Sequence, residues 1–293
     1  MKFIVYGNGW ISNMVKKHLL QSQDHTFVEG RSRVDDTEVL KKELDHVAPT
    51  HVMCFIGRTH GVIDGKEYTT IDYLEQPGKL QENIRDNLFS QITLAILCQE
   101  RGIHLSLIGT GCIFNYDAEH ATGFTEEDIP NFFGSSYSIV KGFTDRLLHH
   151  YPVCNMRIRM PISAYYDSRN FITKILSYEK ICSAPNSMTV LEDFIPIMVE
   201  LSEMCHQGTI NLTNPGVISH NEILEMYKEI VDPDFTWANF SYEEQTKLLA
   251  NGRSNNMLDT TILQKLFPNI LPIKESIRQT LTKMSRLPKL KKV

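Results

Sequence analysis

Phe3-Ile-Val-Tyr6 is a short apolar run that ends at Gly7-Asn8-Gly9, and a helical pattern begins at once and lasts to about Leu20. A strand that stops at glycine and restarts as a helix defines a βα unit, because glycine accepts the backbone angles that let the chain double back. Further apolar runs recur near Phe27-Val28-Glu29, at His51 to Ile56, at Ile103 to Ile108 and around Val153 to Met160. Between them lie stretches with helical spacing, clearest at Ile84, Leu88, Ile92, Ala95 and Ile96. The alternation predicts an α/β fold, a Rossmann-like doubly wound parallel sheet with helices on both faces. Beyond Pro161 the pattern loosens, although Thr209 to Thr213 reads as a strand returning to the sheet. The expected organisation is a dinucleotide-binding domain over 1–160, joined by the strand near 208–214, and a smaller, mostly helical substrate lobe over 161–293.

With 293 residues and 42% apolar content, the chain can bury a sizeable core. A formal net charge of −5 gives no general attraction to nucleic acid or to an anionic membrane. No apolar run reaches the roughly 18 to 20 residues that a spanning helix needs, and the opening run is too short for a secretory signal. The six cysteines lie scattered, without CxxC pairs or metal-ligand spacing. Reduced thiols in a cytoplasmic protein are therefore expected, with no metal site. The basic end, Arg286 to Val293, reads as a solvated tail.

The turn Gly7-Asn8-Gly9-Trp10-Ile11 suits a dinucleotide. Its glycines permit close backbone approach, and the helix that follows offers free N–H groups and a partial positive charge to a pyrophosphate. Ser12 stands where a third glycine is usual, which is expected to loosen helix–strand packing slightly. After the second strand come Glu29-Gly30-Arg31-Ser32-Arg33. Arg31, Ser32 and Arg33 favour the 2′-phosphate of NADPH, while Glu29 keeps NADH open, since an acidic residue there suits a free ribose hydroxyl.

Thr110-Gly-Cys112 follows the fourth apolar run, and Tyr137-Ser-Ile-Val-Lys141 opens a later helix. A Tyr-x-x-x-Lys spacing arises about once by chance in a chain of this composition, so its context carries the reading. One helix face holds both residues, at the carboxyl edge of the sheet where cofactor and substrate meet. Thr110, Tyr137 and Lys141 can polarise and protonate a carbonyl, and Lys141 and Tyr137 are also expected to touch the cofactor. The Cys112 thiol adds something that simple carbonyl reduction does not need.

These features resemble the extended short-chain dehydrogenases/reductases, and longer phrases narrow the likeness. Gly109-Thr-Gly-Cys-Ile-Phe114, Arg157-Ile-Arg-Met-Pro-Ile-Ser163, Arg169-Asn-Phe-Ile-Thr-Lys174, Pro185-Asn-Ser-Met-Thr189, the run from Asn214 to Tyr227 and Arg253-Ser-Asn-Asn256 are similar to the bifunctional nucleotide-4-keto-6-deoxy-glucose 3,5-epimerase/4-reductases. The resemblance implies conversion of UDP-4-keto-6-deoxy-D-glucose to UDP-L-rhamnose with NADPH. It assigns Cys112 and Lys174 to an acid–base pair that inverts the carbons beside the ketone. Thr110 and Tyr137 would grip the ketone oxygen. Asn170, Asn186 and Arg253 would contact the nucleotide sugar. It further implies a separate nucleotide-sugar 4,6-dehydratase upstream, and a homodimer is common in the fold. Two departures stand out: the glycine turn is one residue shorter than the family's, and the loop from Gly57 to Gly78 is longer than in the plant enzymes. That loop follows the third strand, on the side where the sugar is expected.

Other readings remain open at this point. An ordinary NADPH-dependent reductase acting on an already epimerised keto-sugar would leave Cys112 and Lys174 without a task. A non-catalytic NADP-binding subunit is conceivable, because a regulatory subunit of methionine adenosyltransferase is similar to this reductase fold; the intact Thr-Tyr-Lys set counts against it. Cys112 read alone is a small buried hydrophobe, Lys174 a surface lysine, and the two asparagines and Arg253 could merely cap or satisfy backbone. The sequence leaves UDP against dTDP open, and a 2-hydroxyl against a 2-acetamido sugar.

Overall fold

The computed structural model describes residues 1–241, 243–244 and 253–287; most of the basic tail lies outside them. In chain order the elements begin with β1 (Lys2–Tyr6), α1 (Trp10–Leu19), β2 (Thr26–Glu29), α2 (Thr37–Val47) and β3 (His51–Cys54). A hairpin of β4 (Gly61–Ile63) and β5 (Lys66–Tyr68) follows. Next come α3 (Leu80–Ile84), a π-helical turn (Arg85–Phe89), α4 (Ser90–Glu100), β6 (His104–Thr110), α5 (Ser136–Leu148) and β7 (Val153–Ile158). The remainder holds β8 (Pro161–Ile162), α6 (Phe171–Leu176), β9 (Lys180–Ile181), β10 (Thr189–Val190), α7 (Leu191–Glu203), β11 (Gly208–Asn211), α8 (His220–Ile230) and β12 (Ala238–Asn239), with helices Thr261–Leu266 and Ile273–Met284 beyond.

Two compact units are interleaved along the chain. The first comprises 1–113, 135–157 and 195–210, and the second 114–134, 158–194 and 211–293.

The first unit carries a six-stranded sheet in the order β11-β7-β6-β3-β1-β2, and β1 pairs parallel with β2 and β3, as β3 does with β6. The anticipated Rossmann-like sheet is thus present, including the returning strand near residue 210. Phe3, Ile4 and Val5 are all fully buried, as expected for a parallel strand covered on both faces. Ile4, Val52, Leu105 and Leu107 pack with Leu94, Leu97 and Cys98 of α4. Each such apolar side chain contributes about 1.5 to 3 kcal/mol on burial. The order reverses at β1, between β2 and β3, and ligands of such sheets bind outside the carboxyl ends of the strands there.

The helix-period stripe expected at Ile84, Leu88, Ile92, Ala95 and Ile96 meets the core only in part: Ala95 is buried and Ile92 packs against the core. Ile84 and Ile96 are exposed, whereas Leu94, Ala95, Leu97 and Cys98 are buried. The π turn contributes, since its extra residue rotates the helix beyond it and breaks a single 3.6-residue register.

Inside the sheet's flank, Arg157 of β7 is wholly buried against Asp145 of α5. Its Nε and Nη2 donate to the two carboxylate oxygens at 2.9 and 2.6 Å, and Asn155 Nδ2 adds a third donor at 2.7 Å. The pair fixes where α5 lies along β7.

The second unit builds its core from Ile162, Ile172, Ile175, Ile181, Val190, Ile223, Leu224, Ile277 and Leu281. Short parallel pairs β8–β10 and β9–β12 join its helices; they interrupt a region that reads as mainly helical in sequence. A two-residue strand has too few alternating positions to register as a periodic signal.

Replacing Arg157 by Met should lower stability by about 3 to 5 kcal/mol, because the Asp145 carboxylate stays buried without its cation. Urea unfolding measures this; a loss below about 1 kcal/mol would mean that the pair does not hold α5.

Candidate active site

The glycine turn closes β1 at the sheet's reversal point. Gly7 has φ +108°, and a methyl group on it would stand 3.1 Å from the Phe55 carbonyl carbon. Only glycine fits there. Ser12, expected to loosen the packing, does the opposite: it is fully buried and its Oγ donates to Gly7 O at 2.7 Å. A side-chain hydrogen bond thus ties turn to helix where a third glycine would merely allow contact. Gly9 is the N-cap of α1, which has neither a side-chain cap nor an acidic residue in its first turn. The Trp10 and Ile11 end of the helix therefore keeps its N–H groups and positive dipole end for an anion.

Lys16, almost buried, donates to Asn8 Oδ1 at 2.8 Å and pairs with Glu29 at 3.0 Å. The Glu29 charge is thereby partly neutralised at the place where a ribose 2′ substituent is expected. Beside it, Glu43 of α2 accepts from the backbone N–H of Arg31 at 2.7 Å and of Ser32 at 3.0 Å, and from Tyr6 Oη at 2.9 Å. Burial would raise the Glu43 carboxyl, but these donors hold it below its ordinary value. Gly30 has no room for a side chain, since a Cβ would lie 2.3 Å from the Tyr6 ring. The loop is therefore fixed by its backbone, with Arg31 and Arg33 left at the surface; Arg33 pairs with Asp35 at 3.0 Å. The open helix end and the two arginines fit a dinucleotide phosphate in chemical type.

The carbonyl-handling set gathers where β6 ends. Thr110 Oγ1 accepts from the Cys112 backbone N–H at 3.1 Å, so its own hydrogen points elsewhere as a donor. The Tyr137 phenol lies within hydrogen-bonding reach of Thr110 and close to the Cys112 thiol. Burial pushes the phenol up, the neighbouring sulfur adds to this, and the Thr110 bond opposes it. Lys141, one turn on, is also buried, and its Nζ donates to Gln91 Oε1 and to Ile108 O, both at 3.2 Å. Burial lowers the ammonium to about 8 against the opposing pull of Asp145 and Cys54. Two hydroxyl donors can thus converge on one oxygen, with a thiol beside them and a cation behind.

Several residues that sequence reasoning missed place this set. Ser135 caps α5, and Ser138 Oγ donates to Cys112 O at 2.8 Å, joining the tyrosine helix to the thiol's loop. Glu75 accepts from Ser136 N at 3.0 Å and Ser136 Oγ at 2.8 Å, supplying the N-terminal carboxylate that α5 itself lacks. Glu75 belongs to the long loop after β3, whose Ile63, Tyr68, Ile71, Tyr73 and Leu74 pack with Tyr137 and Cys112. No short spacing connects a carboxylate at 75 to a helix at 136. Asn87 accepts from Arg58 N and donates to Arg58 O, each at 2.9 Å, the backbone-fixing role its position suggests.

The other expected site residues belong to the second unit. Lys174 lies on α6, half-buried; burial lowers its ammonium, Asp167 opposes this, and Arg169 and Arg253 reinforce it. Arg253 is exposed. Asn170 and Asn186, expected as nucleotide-sugar contacts or as backbone caps, are both wholly buried. Asn170 caps α6 through Ile172 N at 3.1 Å and donates to Ser163 O and Tyr165 O, both at 2.8 Å. Asn186 accepts from the buried Arg159 guanidinium and from Asn256 N, and donates to Asn255 Oδ1 at 2.9 Å. Each amide holds neighbouring chain in place. Among the described residues no group of His, Cys, Asp and Glu is placed to hold a metal ion, and no helix is long and apolar enough to cross a membrane.

No family model matches the chain. It is 44% identical over 282 residues, 94% of this chain and 90% of the relative, to a bifunctional dTDP-4-dehydrorhamnose 3,5-epimerase/dTDP-4-dehydrorhamnose reductase of Arabidopsis thaliana. A trifunctional UDP-glucose 4,6-dehydratase/UDP-4-keto-6-deoxy-D-glucose 3,5-epimerase/UDP-4-keto-L-rhamnose-reductase of the same plant is 44% identical over 284 residues, which span 41% of its length. Among solved structures, the UDP-rhamnose synthase of Acanthamoeba polyphaga mimivirus superposes with a TM-score of 0.91 at 51% identity, covering 97% of this chain and 99% of that one. The long shared blocks, the Rossmann-like sheet and these near-complete matches make the chain a member of the bifunctional 3,5-epimerase/4-reductase family of rhamnose synthesis.

Proposed function

We infer that this chain converts UDP-4-keto-6-deoxy-D-glucose to UDP-L-rhamnose, first inverting C3 and C5 and then reducing C4 with NADPH. The observation that carries the reading is the meeting of Thr110, Cys112 and Tyr137 at the end of one strand. A 4-ketone acidifies the hydrogens on both adjacent carbons. Inversion requires proton removal on one face and return on the other, so two groups are needed. Cys112 and Lys174 are the acid–base pair in this reading, and lowering of the Lys174 ammonium favours such use. Thr110 and Tyr137 hold the ketone oxygen and stabilise the enolate that forms, as oxyanion donors do.

Reduction uses the same grip. Bound NADPH supplies the hydride that C4 receives. Tyr137 gives its phenolic proton to the oxygen as charge develops there, and the Lys141 cation eases that transfer by favouring the phenolate. Gly7, Asn8, Gly9, Trp10 and Ile11 would hold the pyrophosphate, and Arg31, Ser32 and Arg33 the 2′-phosphate. NADPH is preferred over NADH here because Lys16 partly cancels Glu29. A regulatory subunit would have no use for this buried reducing set, and a plain reductase would have none for Cys112.

The UDP form is favoured because the 51% identical relative is described as a UDP-rhamnose synthase. The first unit is assigned to the cofactor and the second, with Arg253, to the nucleotide sugar. A 4,6-dehydratase is the upstream partner, since that chemistry makes the ketone. The cytosol is the compartment assigned, where Cys112 stays reduced. We further propose a homodimer. Phe89 of the π turn, Ile96 on α4, and Ile139, Phe143 and Leu147 on α5 are exposed, the α5 residues at four-residue steps. A second copy using the same face buries this apolar surface on both sides.

In heavy water, the wild-type protein should place deuterium at C3 and C5 of the keto-sugar, and oxidise NADPH when it is added. Cys112→Ala should slow that exchange at least about 100-fold while sparing reduction of pre-epimerised substrate; equal loss of both would remove the thiol from the epimerising pair. Phe143→Glu should shift the protein from dimer to monomer in analytical ultracentrifugation. A wild-type monomer, or an unchanged dimer in the variant, would contradict the proposed face.

A further inference from the structure

Apart from Asp145 on its own helix, Lys141 sits among neutral groups, and one side chain bears directly on how its charge is accommodated. Gln91 of α4 is 1% exposed. Its Oε1 accepts from Lys141 Nζ at 3.2 Å, while its Nε2 donates to Ile56 O at 3.2 Å. The second bond fixes the orientation of the first, since a turned amide would point its own N–H groups at an ammonium. The π turn just before α4 sets the register that brings Gln91 to this position. There the Ser90 N–H reaches back five residues to Arg85 O, and π turns are frequent at functional sites.

The other groups facing Lys141 offer little charge. Asp145 on its own helix is engaged by Arg157 and Asn155 of β7. Burial pushes the Cys54 thiol of β3 up to about 11 and the Cys98 thiol of α4, beside Cys54, up to about 12. The β6 strand presents the Ile108 carbonyl, and Tyr137 is held in its neutral form by burial. Among the described residues, two of the three ammonium hydrogens are thus taken by neutral oxygens.

We propose that Gln91 is a positioning residue for reduction: its carboxamide oxygen holds the Lys141 ammonium in place and sets the pH range over which that cation persists. The proposal rests on the reading of Tyr137 and Lys141 as the reducing pair. The direction of its consequences follows from electrostatics. Removing the acceptor disfavours the buried cation, so Lys141 loses its proton at lower pH. Replacing the amide by a carboxylate favours the cation, so the proton is kept to higher pH.

The test is a pH titration of the full-length protein labelled with 13C at lysine Cε, with the Lys141 resonance assigned by its absence in Lys141→Arg. NADPH-dependent reduction of the keto-sugar is measured over the same range. Gln91→Leu should move the Lys141 titration down by about one pH unit and Gln91→Glu up by a similar amount. The alkaline limb of kcat should follow in each case. If both variants titrate as wild type and lose rate equally at every pH, Gln91 is only packing and the proposal fails. Should Gln91→Leu not fold, Gln91→Met removes the acceptor at similar length and decides the same point. If the resonance moves as expected but the wild type turns over no keto-sugar, the Gln91–Lys141 tie stands and the functional reading fails.

Discussion

The proposed chemistry depends on the register of one helix, Ser136–Leu148, against the strand that ends at Thr110. Tyr137 can share a carbonyl oxygen with Thr110 only if the first turn of that helix is held to within a fraction of an ångström, because hydrogen bonds weaken steeply with distance and angle. Apolar packing alone sets such a register poorly, since leucine-like surfaces slide at little cost. Here polar contacts set it along the helix. Glu75 and Ser135 fix its start, and Ser138 ties it to the Cys112 carbonyl. Thr144 donates to Asn87 O at 2.8 Å, and Asp145 holds Arg157. Shifting the helix would break several of these bonds at once.

The same contacts shape the electrostatics. A buried phenol and a buried ammonium are each disfavoured in their charged forms, in opposite directions: burial pushes Tyr137 up and brings Lys141 down to about 8. Reduction needs the phenol to part with a proton, and a cation one helical turn away eases that step. The Gly57–Gly78 loop packs Tyr68, Tyr73 and Ile63 into the same apolar cluster as Tyr137 and Cys112. One ketone, gripped once, then meets both requirements: its neighbouring carbons are acidified, and its own carbon is open to reduction.

Much of this was legible in the sequence. Six strand positions followed from apolar runs, clearest for β1, β3, β6 and β7, because strands buried on both faces leave near-continuous hydrophobic signals. Gly7, Thr110, Cys112, Tyr137 and Lys141 were legible because local motifs fix them. What escaped was long-range or fine-grained. Glu75 acts on a helix 61 residues later, Glu43 acts through two backbone N–H groups, and neither leaves a spacing. The π turn adds one residue to a helix and breaks its register, so that Ile96 of the expected apolar stripe lies outside while Ile92 and Ala95 stay on the core. Asn170 and Asn186 illustrate the opposite limit: the phrases that contain them single them out, while the bonds that make them brace neighbouring chain are visible only in the fold.

The claim that one grip serves two reactions is tested most directly by Tyr137→Phe, assayed in heavy water for C3 and C5 exchange and separately for reduction at C4. The account predicts that both fall together, each by at least about 100-fold, because the enolate and the alkoxide lose the same donor. Exchange at the wild-type rate in a variant that no longer reduces would contradict it, since proton transfer would then be independent of the oxygen that Tyr137 holds.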